Sequence, residues 1–364
     1  MRKSKNVSKQ GKTTMFDSVA FAGRHRSNSN WGYVMRKSIL FLSIPLTLIL
    51  IICLSGCGSG NDTAKQNDAW TNTGIVVSNS SVYALAYDSA HNLLYGGTGD
   101  GVYKYNGTTW TGTGNSSIWV ESLAYDSAHK LLYAGTTGSD STGVWKYSGT
   151  TWTNTGGALS DADIRCLVYD AKNKLIYTGT ARSGTASPGV WKYDGSTWTN
   201  TGGEVSAGSL ACDTSRGALY AGTDHGVWKF DGANWTSTGG AISSKHVSSL
   251  AYDSTKKLLY AGISQKGVWK YNGTTWTNTG GSLSSYSIGS LAYDSVHKLL
   301  YAGTSGHGVW KYNGTTWTST GGSISSYVPD SLAYDAAHKL LYAACYDSST
   351  YAASNKGVWK YKTP

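Results

Sequence analysis

Short apolar runs alternate with polar turns along residues 69–364, and no stretch repeats with the period of an amphipathic helix. One unit reads Ser-Leu-Ala-Tyr-Asp, Leu-Leu-Tyr-Ala-Gly-Thr, Gly-Val-Trp-Lys-Tyr and Thr-Thr-Trp-Thr-Asn-Thr in that order. Aromatic and β-branched residues in such runs favour strands. Asn-Gly or Asp-Gly, as at Asn272-Gly273, separates the third run from the fourth and favours a tight hairpin turn. The pattern therefore predicts four short antiparallel strands in each unit.

The unit occurs seven times. The Leu that begins the Leu-Ala-Tyr-Asp motif or its variant marks each copy, and so does the Trp of the fourth run. These Trp residues are spaced 37 to 46 residues apart. Repeats of this length with several short strands are typical of propeller blades. The predicted fold class is all-β, a seven-bladed β-propeller with four-stranded blades. The marker residues are Leu85, Leu123, Leu167, Leu210, Leu250, Leu291 and Leu332, and Trp70, Trp110, Trp152, Trp198, Trp235, Trp276 and Trp317.

The two ends of this region each carry part of a blade. The region opens with a lone fourth strand at residues 69–73 and finishes with a third strand at residues 357–361. Seven complete blades therefore require the N-terminal strand to close the last blade. Such closure also hides two sheet edges that would otherwise be exposed.

A leader precedes the repeats. Arg36-Lys37 and an apolar run over residues 39–54 are typical of a secretory signal, and the run ends in Leu54-Ser55-Gly56-Cys57. This ending resembles the bacterial lipobox, which implies cleavage before Cys57 and lipidation of its thiol with diacylglycerol and palmitate. The alternative is a plain transmembrane anchor, but the run of 16 residues falls short of the ~20 needed to span a bilayer.

The lipobox sets the predicted domain boundaries. Residues 1–34 are a mis-assigned start or an extended n-region, 35–56 the lipoprotein signal peptide, 57–68 the lipidated Cys and a polar tether, and 69–364 the propeller. The predicted location is the cell envelope, lipid-anchored and extracytoplasmic. If the envelope has two membranes, Gly58 after Cys57 resembles the sorting signal for the outer one.

The charge of the chain bears on its partners, and its cysteine content bears on disulfide bonding. Nine of the 31 basic residues and one of the 21 acidic residues precede Cys57, so the chain after it carries a net charge of only +2. This balance does not indicate a nucleic-acid partner. Cys166, Cys212 and Cys345 are odd in number and cannot form a closed disulfide framework. We expect a monomer whose partners are the membrane, through the lipid anchor, and an unknown ligand or envelope protein.

The repeat resembles a known family. His246–Asp253, Leu259–Gly262, Gly267–Gly273 and Trp276 resemble the two-component-regulator propeller repeat. That resemblance implies an extracytoplasmic sensor domain, although no kinase sequence follows the repeats. The unit also resembles a degenerate Asp-box in which Tyr271 stands where the Asp is expected, and it resembles the kelch repeat less closely.

The variable positions of the repeat are the candidate binding site. Positions two and four before the motif Leu differ from copy to copy, as does the connection between second and third strands, and both fall on one rim of the predicted propeller. The opposite rim carries nearly constant turns, in which His91, His129, His297 and His338 occupy one structural position. Variable loops on a rigid frame favour binding, although neutral drift is the alternative. The candidates are Tyr83, Trp119, Glu121, Asp163, Arg165, His246, Asp330, Tyr346 and Tyr351.

No catalytic motif stands out, so the sequence assigns no catalytic residue, metal site or cofactor. We predict that the variable rim binds a ligand, with aromatic side chains stacking on a sugar ring or an apolar group. Two alternatives remain. One is a hydrolase or lyase that uses carboxylates at the channel mouth. The other is a structural subunit of an envelope complex.

Overall fold

A computed structural model describes residues 70–74, 80–116, 118–138, 142–180, 187–346 and 357–364. Cys57 and the three predicted segments that precede the propeller lie outside the described residues. The strands in chain order are β1 (Thr71–Asn72), β2 (Val82–Asp88), β3 (Leu93–Thr98), β4 (Gly101–Tyr105), β5 (Trp110–Gly112), β6 (Trp119–Asp126), β7 (Leu131–Thr137), β8 (Gly143–Tyr147), β9 (Trp152–Asn154), β10 (Ile164–Asp170), β11 (Leu175–Thr180), β12 (Gly189–Tyr193), β13 (Trp198–Asn200), β14 (Ser209–Asp213), β15 (Ala218–Thr223), β16 (Gly226–Phe230), β17 (Trp235–Ser237), β18 (Val247–Asp253), β19 (Leu258–Ile263), β20 (Gly267–Tyr271), β21 (Trp276–Asn278), β22 (Ile288–Asp294), β23 (Leu299–Thr304), β24 (Gly308–Tyr312), β25 (Trp317–Ser319), β26 (Val328–Asp335), β27 (Leu340–Tyr346) and β28 (Gly357–Lys362).

These strands form seven antiparallel sheets of four. Blades 1 to 6 are β2–β5, β6–β9, β10–β13, β14–β17, β18–β21 and β22–β25, and blade 7 has the order β1-β28-β27-β26. The first strand of each blade contacts the first strand of the next, and β26 contacts β2, so the innermost strands close into a ring. The predicted seven-bladed β-propeller is confirmed.

The N-terminal strand closes the last blade, as predicted. Thr71 pairs with Lys360 and Asn72 with Trp359. The paired part of this strand is shorter than expected, because it comprises only these two residues, but Thr73 extends the attachment. The N–H and the hydroxyl of Thr73 both donate to the Val358 carbonyl oxygen, at 2.9 and 2.7 Å.

A repeated hydrogen bond fastens each blade to the one before it. The indole N–H of every fourth-strand Trp donates to a Thr hydroxyl that follows the fourth strand of the preceding blade. That hydroxyl in turn donates to a Val carbonyl oxygen on the third strand of its own blade, as Thr113 does to Val102 at 2.7 Å. The seven Trp–Thr pairs are Trp70–Thr320, Trp110–Thr73, Trp152–Thr113, Trp198–Thr155, Trp235–Thr201, Trp276–Thr238 and Trp317–Thr279.

The strand ends lie on two opposite rims. In blade 1, Val82 pairs with Thr98 at one end of the sheet, and Asp88 pairs with Leu93 at the other. The first end is the variable rim: it holds the starts of the innermost strands, the connections between second and third strands, and the crossovers between blades. The second end is the turn rim, which holds the turns between first and second and between third and fourth strands.

Adjacent blades share this orientation, because Tyr83 of blade 1 stacks on Trp119 of blade 2 at the variable rim. Four crossovers contain single-turn 3₁₀ helices that the sequence did not predict: Gly157–Leu159, Gly240–Ile242, Gly281–Leu283 and Gly322–Ile324. Their third residues, such as Leu159, are buried and anchor each crossover to the core. No helix in the described part of the chain is long and apolar enough to cross a membrane.

Candidate binding site at the variable rim

Six of the seven innermost strands contain a β-bulge near their start. In blade 1, Val82 pairs with Thr98 and Ala84 with Gly97, so the register shifts at Tyr83, which lies between them. Bulges re-aim a side chain and are common beside functional sites. The bulged residue is the variable position two before the motif Leu. We call the seven equivalents the bulge ring: Tyr83, Glu121, Arg165, Gly208, Ser248, Gly289 and Asp330.

The bulge ring is divided into a bulky side and a small side. Blades 7, 1, 2 and 3 are contiguous because the ring closes between blades 7 and 1, and they carry the bulky members. Blades 4 to 6 carry the small members. Ser248 is held by backbone, since its hydroxyl donates to the Gly262 carbonyl at 3.0 Å and to that of Ile288. The bulky members are Asp330, Tyr83, Glu121 and Arg165; the small members are Gly208, Ser248 and Gly289.

Tyr83 and Trp119 form an aromatic stack on the bulky side. Their ring centroids are 5.2 Å apart and the planes differ by 19°. Trp119 is the more accessible of the two, with 38% of its surface exposed, whereas Tyr83 is half-buried. A large aromatic side chain that is held against a second ring and is still more than a third exposed is suited to stacking on a flat ligand face.

The other predicted residues are spread around the rim. Asp163 accepts the Gly138 N–H at 3.3 Å, which ties a crossover to a neighbouring loop. His246 donates from Nδ1 to the Asp224 carboxylate at 2.6 Å. This exposed pair belongs to blades 4 and 5, across the ring from the stack, so His246 is not brought together with Trp119.

Blade 7 supplies the remaining candidates. Asp330 lies near Cys345, and burial first and this carboxylate second raise the pKa of the Cys345 thiol. Tyr346 is half-buried at the end of β27, opposite Val328. Tyr351 lies outside the described residues.

A second aromatic group on this rim was not predicted. Tyr286, in the crossover to blade 6, stacks on His307 with ring centroids 4.1 Å apart and planes 18° from parallel. Trp310 meets Tyr286 edge-on at 6.2 Å, and its indole N–H donates to the His307 carbonyl at 3.1 Å. The only signal in the sequence is a Tyr after Ser-Ser in two crossovers, at Tyr286 and Tyr327.

The Asp and His residues of the turn rim stabilise their own turns, which agrees with the structural role expected for them. Asp88 Oδ1 accepts the N–H groups of Ala90 and His91 at 2.8 and 3.1 Å, and its Oδ2 accepts from His91 Nδ1 at 2.7 Å. The same bonds recur at Asp126, Asp294 and Asp335.

The Tyr of the Tyr-Asp pair in one blade lies against the Asp of the blade before it. Burial first and the Asp88 carboxylate second raise the pKa of Tyr125. Cys212 replaces the Tyr in blade 4 and lies near Asp170; burial and this carboxylate raise the pKa of its thiol. These buried thiols are uncharged at neutral pH, and burial raises the pKa of Cys166 to about 12. The buried Asp carboxylates therefore hold the turns together through backbone N–H groups and the more exposed His rings, and the Tyr side chains pack against the Asp of the preceding blade.

The described residues contain no cluster of His, Cys, Asp and Glu side chains suited to a metal ion. Cys166, Cys212 and Cys345 are buried free thiols. The variable rim offers a set of carboxylates, one guanidinium, the exposed Trp119 ring and several half-buried aromatic rings around a bulged inner edge. Such a set can orient polar groups and stack on a ring.

Comparisons with known proteins identify the fold. No family model matches the chain, and no curated protein does. Among solved structures, the chain is similar to one described as the extracellular domain of a one-component system from B. thetaiotaomicron, at 17% identity and a TM-score of 0.61 over 81% of this chain and 40% of that one. It is also similar to the GH74 enzyme of Niastella koreensis, at 18% identity and a TM-score of 0.58, over 80% of this chain and 55% of that one.

A third similar structure is YCF48 bound to D1 peptide, at 10% identity and a TM-score of 0.59 over 81% of this chain and 97% of that one. The chain spans only about 40% and 55% of the first two proteins. At these identities the likeness shows the fold alone, because one propeller architecture hosts many functions.

Proposed function

We propose that this propeller is an extracytoplasmic binding module that holds a ligand with a ring face, such as a carbohydrate, at the mouth of its variable rim. The observation that carries the proposal is the Tyr83–Trp119 stack, in which Trp119 is 38% exposed beside the bulge ring. Among the described residues, only Trp119 and Val296 are large hydrophobic side chains with this degree of exposure. Keeping an indole at the surface costs hydration free energy that a bound ligand would recover.

The bulge ring supports the same proposal. Gly208 and Gly289 add no side chain to one side of the mouth, while the bulky side carries two carboxylates and a guanidinium. A ligand ring on Trp119 would therefore have room towards blades 4 to 6 and polar groups within reach on blades 7, 2 and 3. Sugars are recognised by this combination of stacking and directional hydrogen bonds.

Trp119→Ala tests the site. We expect it to weaken ligand binding by about 1–3 kcal/mol, because an exposed aromatic anchor contributes most of its energy on binding. The melting temperature should hardly change, since Trp119 is not part of the buried core. A panel of soluble glycans, read by calorimetry or by quenching of tryptophan fluorescence, would supply the ligand and the measurement.

The matched control lies on the turn rim. His129→Ala and His297→Ala remove ring side chains far from the mouth, and glycan affinity should stay unchanged in both. Loss of binding in these variants, with Trp119→Ala still binding normally, would show that the site lies on the opposite face.

A hydrolase remains the second candidate, favoured by one observation. Glu121 and Asp330 occupy bulge positions in blades 2 and 7, on either side of Tyr83. Two carboxylates that flank a sugar-binding surface can act as acid and base. Release of shorter glycans by the parent protein, abolished in Glu121→Gln or Asp330→Asn, would favour this candidate over simple binding.

We place the module at the membrane through Cys57, because Leu54-Ser55-Gly56 and a basic and apolar segment precede it. Cys57→Ala should move the protein from the membrane fraction to the soluble fraction or stall its processing. The reason is that two or three acyl chains hold a protein firmly whereas one holds it only marginally. Labelling with a palmitate analogue is the direct check; unchanged fractionation together with no label in the parent protein would exclude the anchor.

A further inference from the structure

Charged residues are sorted between the two rims of the described propeller. The variable rim carries seven acidic and three basic residues. Its acids are Asp100, Glu121, Asp161, Asp163, Glu204, Asp224 and Asp330, and its bases are Arg165, Lys245 and Lys266. The turns between first and second strands on the turn rim carry eight basic residues: Lys130, Lys172, Lys174, Arg216, Lys256, Lys257, Lys298 and Lys339. We call these eight the basic crown.

The basic crown is exposed, whereas most acids on its rim are buried. All eight cationic side chains are exposed to solvent. The seven Asp residues of the Tyr-Asp motifs are at most 4% exposed and are engaged by their own turns. The exposed acids on this rim in the described part of the chain are Asp194 and Asp231. The exposed charged side chains of these turns are therefore mostly cationic, although the chain after Cys57 has a net charge of only +2.

The backbone at the crown does not require lysine. Lys130, Lys257 and Lys298 have φ angles of 57, 55 and 59°, in the left-handed region. Asn and Gly are the residues that this conformation favours, and they occupy the equivalent position in two other blades as Asn92 and Gly217. Five blades nevertheless place Lys there. The backbone conformation therefore does not explain why Lys occupies this position, whereas its positive charge gives it a possible role.

The chain reaches the propeller at this rim. Trp70 precedes β1, and β1 runs from the turn rim towards the variable rim because it is antiparallel to β28. Trp70 therefore lies at the turn rim, 13 residues after Cys57. That length reaches at most about 45 Å when extended, which is short enough to keep the rim close to whatever holds Cys57.

Two smaller features lie on the same rim, and the first of them fits contact with a membrane surface. Val296, in the turn of blade 6, is 44% exposed beside Lys298. Between blades 1 and 2, a cavity of about 250 Å³ is lined by Lys104 and Lys130 together with Asp88 and Tyr125. An exposed apolar residue among cations is typical of surfaces that lie on headgroups.

We propose that the basic crown rests on a membrane surface rich in anionic lipid headgroups, so that the variable rim and its candidate site point away from the membrane. The lysines of the crown contact the headgroups, and the acidic variable rim is repelled from them. The inference rests in part on the proposed membrane placement. The experiment uses a chain that lacks Cys57, so contact of the basic crown with lipid and anchoring through Cys57 are tested independently.

The test uses residues 58–364, which contain all 28 strands and both sides of the ring closure. Vesicles of phosphatidylglycerol and phosphatidylcholine in equal parts are compared with pure phosphatidylcholine at low salt. Lys257→Asn/Lys298→Asn, which copies the residue of blade 1, should weaken binding to the anionic vesicles roughly thirtyfold, since each lysine near a charged surface contributes about fivefold. Added salt should weaken binding of the parent chain.

The matched control is Lys245→Asn/Lys266→Asn, which removes the same charge from the variable rim and should leave vesicle affinity nearly unchanged. Equal loss in both double variants would show an effect of net charge alone and overturn the proposal. So would equal binding to the two kinds of vesicle. If duplex DNA binds more tightly than the vesicles and depends on the same two lysines, the crown is a nucleic-acid surface instead.

Discussion

Trp70→Ala is expected to lower the free energy of unfolding by about 3–5 kcal/mol, as truncation of a buried Trp generally does. Trp70 is 4% exposed, its ring lies 5.0 Å from that of Tyr361, and its indole N–H donates to Thr320 at 3.0 Å. The substitution removes the packing and the bond that join the N-terminal strand to blades 6 and 7. Urea denaturation followed by circular dichroism would measure the loss.

Thr71→Ala is the matched control, since Thr71 lies on the same strand with its side chain exposed. This substitution should change the free energy of unfolding only slightly.

Removal of residues 58–74 should destabilise the ring by several kcal/mol, because it opens blade 7 and leaves Trp110 without its bond to Thr73. A truncated chain that unfolds at the same denaturant concentration as the parent would show that closure contributes nothing.

Gly179→Ala should destabilise the protein by about 3 kcal/mol, at the upper end of the usual cost of overpacking. A Cβ at Gly179 would lie against the Ala207 carbonyl oxygen and only 2.8 Å from Cys166 Sγ and 3.0 Å from Ala207 Cβ. Backbone of the next blade cannot retreat as a flexible side chain can. The change should therefore push blades 3 and 4 apart, and the melting temperature would report it.

Gly208→Ala provides the comparison, because it is the same chemical change at the start of the next blade. A Cβ there would meet nothing closer than the Gly222 carbonyl oxygen at 3.9 Å. Its effect on the melting temperature should be slight. Similar destabilisation in both variants would mean that the close approach at Gly179 is not what limits packing between blades.

The architecture could be predicted from the sequence because repetition amplified weak local signals. A single copy of Gly-Val-Trp-Lys-Tyr is an ambiguous strand, but seven copies at regular spacing identify a propeller. Closure followed from strand counting, since residues 69–73 and 357–361 each lacked a partner. Each fourth-strand Trp is followed three residues later by a Thr, and both members of the Trp–Thr bonds are therefore present in every copy. The bond itself joins the Trp of one blade to the Thr of the preceding blade, and spacing along a single strand does not reveal that pairing.

The candidate site was only partly predictable. The variable positions were found by comparing copies, yet the bulges that re-aim Tyr83 and Glu121 have no local sequence signature. The stack of Tyr83 on Trp119 joins two blades, and the pair of Tyr286 and His307 joins a crossover to a loop; both depend on how blades twist against each other. The sorting of charge was hidden because a net charge sums over both rims. It became visible only when each lysine was assigned to an end of a strand.

The closing of the ring by Trp70–Thr73 has a consequence for the order in which the protein folds. The bonds that join Thr73 to Val358 connect residues 285 positions apart, so they cannot form until nearly the whole chain has been synthesised. Contacts of such long range form slowly, whereas each blade needs only its own stretch of roughly forty residues. During synthesis the early blades would therefore assemble as an open array before the N-terminal strand can pair with β28. Its two exposed polar residues, Thr71 and Asn72, make it a poor template for aggregation during that interval.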